Sequence, residues 1–249
     1  MGDRIVDYTD MATVSRLITE YEAAVRKPTQ FYRPLGDGVL LWRMPHFYHG
    51  DELAIDEMMT LAKKHSAVIL DLRNNPGGSA ATLSYLVGGF FDREVLLGVQ
   101  RTRAGESRLT TRVRDRDPYR GLLVILVILV NSGSASASEV STRAMQLEGR
   151  AIVVGDRTMG AVVVSRYLPH EVGFGRRVQY GAMISIRDMV MSDGNRLEGV
   201  GVVPDHVVLP SGADLAAKRD PQLARALELV GVKMDPATAG ALARRGAGQ

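Results

Sequence analysis

An uninterrupted apolar run at residues 122–130 is the feature that most constrains the fold of this chain. Nine apolar residues in succession predict a strand buried on both faces, because a half-exposed strand would alternate apolar and polar side chains. The run ends in a turn of small residues at 131–139, NSGSASASE, and a helical segment follows as far as Gly149. This order of strand, tight turn and helix is typical of an α/β domain.

The turn after this strand can present a reactive serine. A serine there projects its hydroxyl into a cleft, while the N-terminus of the following helix supplies free N–H groups and positive partial charge. Preset donors of this kind are what the oxyanion of an attacked carbonyl needs. The alternative interpretation is a plain helix N-cap, since Ser136 and Glu139 have the spacing of a capping box.

A second strand and turn of the same kind occur upstream. Residues 67–73, AVILDLR, predict a buried strand, and residues 74–78, NNPGG, predict a tight turn before a helix that Ser79 caps. Neighbouring glycine N–H groups can converge on one oxygen, as in an anion-binding nest. One such turn alone would indicate an ordinary strand-to-helix connection, but two at the ends of buried strands predict a shared cleft.

Together these segments resemble the core of the carboxyl-terminal processing proteases, whose relatives include the tricorn protease core and the retinoid-binding repeats of the vertebrate retina. The resemblance implies a Clp protease/crotonase-like core sheet and covers about residues 30–232. Its motifs are DLRNNPGG at 71–78, SASASE at 134–139, VVGDRTMG at 153–160, GNRLEGVGVVPD at 194–205 and DPQL at 220–223.

The resemblance also implies a set of site residues. Ser136 occupies the position of the family's nucleophile. Backbone N–H groups of Gly77, Gly78 and Ala137 occupy the positions of the oxyanion donors. An enzyme of this kind cleaves peptides or unfolded protein tails through an acyl-enzyme on the serine, with no cofactor and no metal.

The chain departs from the family at the position of the general base. Bacterial and chloroplast processing proteases carry a lysine directly after the VVGDRTMG-like segment, whereas this chain has Ala161 there and no lysine between Lys64 and Lys218. A serine hydroxyl is a weak nucleophile until a base takes its proton. Three explanations stay open: a histidine base as in the tricorn-like branch, a base in an upstream segment, or loss of catalysis.

Two residues are candidates for a histidine relay. His46 follows the end of a predicted strand and is the first candidate base, although a single histidine is more often structural. The tricorn-like branch has a glutamate in its final strand motif that assists the histidine, and Glu198 matches that motif loosely. A charged residue at a glycine-flanked turn is the alternative interpretation of Glu198. His46, His49 and Asp51 lack the HExxH spacing, so no metal site is predicted.

The pattern predicts an α/β core with flanking helices, followed after Gly160 by an antiparallel β flank. Residues 2–6, GDRIV, resemble the end of a PDZ domain, which would place the usual histidine of the tricorn-like branch upstream. We expect three parts: a PDZ-like remnant with a linker helix, a peptidase core and a C-terminal tail, at residues 1–30, 31–232 and 233–249.

Length, charge and hydrophobic content limit which other classes of function fit this chain. A chain of 249 residues with 45% hydrophobic residues can bury one sizeable core. The net charge of +3 predicts no nucleic-acid partner, and the arginine-rich stretch at 101–120 is interpreted as an exposed hairpin. The longest apolar run is too short for a membrane segment, and the opening residues do not read as a signal peptide. We therefore expect a cytoplasmic protein, or a periplasmic or secreted one if the N-terminus is truncated.

Three functions stay open at this point. The first is a serine peptidase acting on peptides or unfolded tails. The second is a peptide- or ligand-binding homologue that kept the cleft but lost the base. The third is a crotonase-like acyl-CoA enzyme, which the SASASE turn disfavours because that chemistry needs no serine there. A homo-oligomer is compatible with each of them.

Overall fold

The computed structural model describes residues 31–35, 38–112, 124–173 and 178–244. The predicted PDZ-like remnant and linker helix at residues 1–30 lie outside these ranges. The strands are β1 (Phe31–Leu35), β2 (Val39–Arg43), β3 (Ala67–Asp71), β4 (Leu96–Thr102), β5 (Gly105–Thr110), β6 (Ile125–Val130), β7 (Ile152–Gly155), β8 (Val164–Val172), β9 (Val178–Val190) and β10 (His206–Val207). The helices are α1 (Glu52–Ala62), α2 (Ala80–Gly88), α3 (Ala137–Leu147), α4 (Gly212–Ala216), α5 (Pro221–Leu229) and α6 (Pro236–Arg244).

Six strands form the core sheet in the order β1-β2-β3-β6-β7-β10, and only β1 runs antiparallel to its neighbour in this described sheet. Successive residues of β3 face opposite sides. Val68 and Leu70 pack in the core covered by α1, α2 and α3, whereas Ile69 packs in the core covered by α5 and α6. Burial on both faces explains the unbroken apolar sequence of the strand. The predicted α/β fold with flanking helices is confirmed.

A second sheet, β5-β4-β9-β8, is antiparallel and forms the predicted β flank. Its longest part is the β8–β9 hairpin, in which Val164 pairs with Arg187 and Val172 pairs with Val178. Strand β9 is continuous from Val178 to Val190 and passes through Gly181, which pairs with Pro169. The exposed hairpin predicted within 101–120 is represented by β4 and β5, and residues 113–120 lie outside the described residues.

The end of the chain carries more regular structure than the sequence pattern indicated. Helix α6 lies within the expected tail at 233–249 and packs against α5, where Ala239 is buried with Leu223 and Leu227. Across the described ranges, every helix is too short or too polar to cross a lipid bilayer.

A buried ion pair joins the end of β3 to the N-terminus of α5. Asp71 is 4% exposed, and its two oxygens accept from Arg73 Nε (2.9 Å) and Arg73 Nη2 (2.8 Å). Arg73 Nη1 also donates to Asp220 Oδ1 (2.9 Å) and Gln222 Oε1 (3.2 Å). Burial alone would raise the pKa of Asp71, but the charge and hydrogen bonds of Arg73, with the charge of Arg43, hold this pKa below its ordinary value.

We expect Asp71→Asn to lower the free energy of unfolding by about 3 kcal/mol at pH 7, because it takes a partner from a buried arginine. A depressed folded-state pKa stabilises the fold above the ordinary pKa of 3.8, and this contribution is lost as pH falls through the folded-state value. Urea denaturation of both proteins between pH 7 and pH 2 should therefore show the difference shrinking at the acid end.

The control for this measurement is Asp188→Asn, because Asp188 pairs with Arg196 at the surface, where side chains are 32% and 55% exposed. An exposed pair contributes at most about 1 kcal/mol, so this variant should unfold close to wild type. Equal free energies of unfolding for wild type and Asp71→Asn at pH 7 would contradict the prediction.

Candidate active site

The two small-residue turns meet at the carboxyl ends of neighbouring strands, β3 and β6. The carbonyl of Asn75 in the first turn accepts from Ala135 N–H and from the Ser138 hydroxyl, each at 2.9 Å. A Cβ on Gly77 would lie 2.7 Å from both Ser136 Cβ and the Ala137 nitrogen, so only glycine lets the turns approach this closely. The predicted proximity of the two turns is confirmed.

The backbone of Ser136 is strained. Its φ of 54° and ψ of −116° lie outside the regions that residues with a Cβ ordinarily adopt. Such a conformation costs about 1–3 kcal/mol and persists where surrounding contacts enforce it. The result is a sharp elbow between β6 and α3, comparable in shape to the strand-to-helix turns that expose nucleophilic serines. We refer to Ser136 and its two neighbours in the chain as the elbow.

The three serines of the turn are in different environments. Ser134 and Ser138 are fully buried, and their hydroxyls donate to the carbonyls of Leu72 (2.8 Å) and Asn75 (2.9 Å). Ser136 is half-buried, and within the described ranges no histidine, lysine or carboxylate side chain forms a hydrogen bond with its hydroxyl. Of the three hydroxyls, that of Ser136 is the one open to a substrate.

Two backbone N–H groups beside the elbow are available to an oxyanion. Among the residues that the structure describes, none accepts a hydrogen bond from the N–H of Gly78 or of Ala137. Ala137 also opens α3, which adds the positive end of the helix dipole. The N–H of Gly77 is different, since it donates to Asn75 Oδ1 at 2.8 Å. Gly78 and Ala137 are therefore the two candidate oxyanion donors. Gly77 is the glycine that allows the two turns to approach each other closely.

A buried carboxylate, Glu139, holds the elbow in place. Glu139 is 0% exposed, and its Oε2 accepts from the N–H groups of Ser136 (3.0 Å) and Ala161 (2.9 Å). Its Oε1 accepts from Gly160 N–H (2.7 Å) and the Thr158 hydroxyl (2.6 Å). Four donors and the N-terminus of α3 offset the cost of burying this charge. The capping-box spacing identified Glu139 only as a cap, and its bonds to residues 158–161 carry no local sequence signal.

Ala161, which stands at the predicted lysine position, lies directly beside Ser136. The Ala161 carbonyl accepts from Ser136 N–H at 2.9 Å, and Glu139 Oε2 bridges the N–H groups of both residues. A methyl side chain cannot accept a proton, so Ala161 itself contributes no base. The backbone nevertheless brings residue 161 within hydrogen-bonding distance of Ser136.

His46 and Glu198 both lie near these turns but bond elsewhere. The His46 ring stacks on Tyr48 with centroids 3.4 Å apart, and its Nδ1 lies 3.5 Å from Asp51 Oδ2. Burial lowers the pKa of His46, although the Asp51 carboxylate opposes this shift. Glu198 Oε2 accepts from Val162 N–H (2.7 Å) and Val163 N–H (3.0 Å), which fixes the chain just after Ala161. In this geometry neither side chain bonds to the Ser136 hydroxyl.

The chain is similar to several known proteins. A model of Peptidase family S41 matches residues 39–208. A carboxyl-terminal-processing protease of Picosynechococcus sp. is 30% identical over 201 residues, which cover 78% of this chain and 46% of that protein. A protein of Staphylococcus haemolyticus described as a probable CtpA-like serine protease is 30% identical over 141 residues, covering 56% of this chain and 26% of that protein. The chain thus spans between a quarter and half of the length of these relatives.

Among solved structures, the photosystem II D1 C-terminal processing protease matches with a TM-score of 0.54 at 23% identity. The match covers 70% of this chain and 44% of that one. At this identity the likeness concerns the fold.

Proposed function

The chain belongs to peptidase family S41, and on that premise we propose that it is a serine-type peptidase with Ser136 as its nucleophile. The observation that carries the proposal is the strained elbow at Ser136, with its open hydroxyl beside the turn that bears Gly78. The N–H groups of Gly78 and Ala137, which have no acceptor among the described residues, support the same reaction.

In the proposed reaction, the Ser136 oxygen forms a bond to the carbonyl carbon of a peptide while the hydroxyl proton passes to a base. The N–H groups of Gly78 and Ala137 donate to the resulting oxyanion. Collapse of the intermediate breaks the C–N bond, the leaving amine takes up a proton, and an acyl-enzyme stays on Ser136. Water then attacks the ester and releases the acid.

The proposed substrate is an extended peptide or an unfolded protein tail. Ala135, Ala137 and Gly77 lie beside Ser136, and their small size leaves room for a peptide backbone at the proposed nucleophile. The absence of a base in contact with Ser136 among the described residues leads us to expect a slow reaction, because general-base assistance is typically worth about 10²–10⁴-fold.

Ala161→Lys is expected to raise the rate at which Ser136 reacts with a fluorophosphonate, within that range of about 10²–10⁴-fold. The backbone already places residue 161 beside Ser136, and partial burial would favour the neutral, reactive amine. The measurement is the labelling rate by intact mass, with cleavage of fluorescein-labelled casein as a second readout.

The control is Ala161→Met, which has similar length but no amine and should react as slowly as wild type. Fast, Ser136-dependent cleavage by the unmodified chain, unchanged by Ala161→Lys, would show that a base already acts in the cleft. His46 would then be the first residue to replace.

A second function, a peptide-binding homologue without catalysis, is favoured by the methyl side chain of Ala161 alone. In that case the unmodified chain would bind an unfolded peptide in a fluorescence anisotropy titration, yet leave both the peptide and a fluorophosphonate unchanged by mass.

A further inference from the structure

A second polar pocket lies on the other face of the core sheet, outside the carboxyl ends of β2, β3 and β6. Its lining includes Arg43, Arg73, Asn74, Asn131 and Lys218. The crevice beyond the carboxyl ends of parallel strands is where open α/β sheets characteristically bind ligands. None of these side chains belongs to the elbow or to the proposed oxyanion donors. We call this cavity the basic pocket.

One arginine of the basic pocket has no hydrogen-bond acceptor for its guanidinium among the described residues. Arg43 ends β2 directly opposite Asp71 and is half-buried. Both oxygens of Asp71 accept hydrogen bonds from Arg73, and Arg43 acts on this carboxylate through its charge alone. In the described part of the chain, no hydrogen bond or ion pair engages the Arg43 guanidinium. A guanidinium offers five donors in a planar fork that matches a carboxylate or a phosphate.

Neutral donors lie beside this arginine. Asn131 Oδ1 accepts from the N–H groups of Asn74 (2.8 Å) and Gly133 (3.1 Å), which fixes the orientation of the Asn131 amide. Asn131 Nδ2 then donates to Asn74 Oδ1 (3.1 Å) and keeps a second N–H. The acidic residue in the lining, Asp220, is committed to Arg73 and to Leu223 N–H. The lining is therefore rich in donors and poor in acceptors that are not already bound.

From this arrangement we propose that the basic pocket binds a small oxyanion, a carboxylate or a phosphate group, with Arg43 as its main ligand and the Asn74 and Asn131 amides as neutral donors. An anion there accepts the hydrogen bonds of the Arg43 guanidinium, for which the described residues provide no acceptor. The proposal is independent of the proposed peptidase reaction, since its test involves neither Ser136 nor a peptide substrate.

The test is isothermal titration of the full chain with inorganic phosphate and, separately, with citrate, each in sodium chloride at fixed total ionic strength. Wild type is expected to bind at least one of the two saturably, and the preferred anion distinguishes a tetrahedral phosphate site from a carboxylate site. Arg43→Gln should weaken that binding by about tenfold or more, because it removes a charge-assisted, two-point contact.

Two further variants separate the role of Arg43 from a general effect of net charge. Arg101→Gln makes the same change in net charge on the exposed β4–β5 hairpin, where Arg101 pairs with Glu106, and should bind like wild type. Arg43→Lys retains the charge but not the fork and should bind with intermediate affinity, also serving if Arg43→Gln fails to fold by circular dichroism. Equal affinity in wild type and both Arg43 variants, or no saturable binding of either anion, would overturn the proposal.

Discussion

Replacing Ser136 with alanine is expected to remove fluorophosphonate labelling completely and to reduce peptide cleavage to background. The reason is that Ser136 carries the open hydroxyl of the turn, whereas those of Ser134 and Ser138 are buried and bonded to backbone carbonyls. Loss of a catalytic serine costs roughly 10⁶-fold in a fully equipped serine protease. The largest measurable difference in labelling rate is expected between Ala161→Lys and the double variant Ala161→Lys/Ser136→Ala. Mass spectrometry identifies the labelled peptide.

The neighbouring serines provide matched controls. Ser134→Ala and Ser138→Ala should keep the label but lower the free energy of unfolding by about 1–3 kcal/mol, because each removes a buried hydrogen bond. Ser136→Ala should unfold close to wild type, since its hydroxyl bonds to no other side chain among the described residues. If labelling survived in Ser136→Ala and disappeared in one of the other two, the nucleophile would be assigned to the wrong serine.

The second large effect is expected from Glu139→Ala. This change leaves the N–H groups of Gly160 and Ala161 and the Thr158 hydroxyl without their acceptor in the interior. The N–H of Ser136 loses one of its two acceptors and keeps the Ala161 carbonyl. We expect a loss of roughly 3–5 kcal/mol in the free energy of unfolding. Labelling of Ser136 should also fall in the molecules that remain folded, because the carboxylate is what holds the strained elbow against the segment at 158–161.

Glu139→Gln separates these two roles. The glutamine has the same size and keeps one carbonyl oxygen, but its NH₂ group faces N–H donors where the carboxylate accepted. We expect a smaller loss of stability than in Glu139→Ala and still a reduced labelling rate per folded molecule. Urea denaturation gives the first quantity and intact mass the second. Wild-type stability and labelling in Glu139→Ala would exclude Glu139 as the residue that positions the elbow.

The features that could be predicted from the sequence are those set by residues close together in the chain. The apolar runs of β3 and β6 and the glycine-containing turn after β3 follow from side-chain pattern and backbone preference over a few residues. The same local patterns, with the family motifs, led to Ser136 and to the facing turn. Ala161 could be recognised as a departure because its position is defined by the motif before it.

What the sequence could not predict depends on contacts between distant segments. Glu139 binds Gly160 and Ala161, and Glu198 binds the N–H groups just after them, across separations that no periodicity encodes. The continuation of β9 through Gly181 is set by its pairing with β8, which overrides the weak strand preference of glycine. The use of Gly77 N–H by Asn75 likewise appears only once the turn has a defined geometry.

The order of strands in the core sheet determines at which stage of folding the proposed reactive site can form. Ala67 of β3 pairs with Ile125 of β6, so the two turns become neighbours only after a long stretch of chain has been closed into a loop. Closing this loop costs conformational entropy before the pairing of the two strands stabilises the chain, and parallel sheets therefore form slowly. A nascent chain that has yet to add the segment at 158–161 also lacks the bonds that strain Ser136. The proposed nucleophile and oxyanion donors therefore come together only when β3, β6 and the segment at 158–161 are all in place.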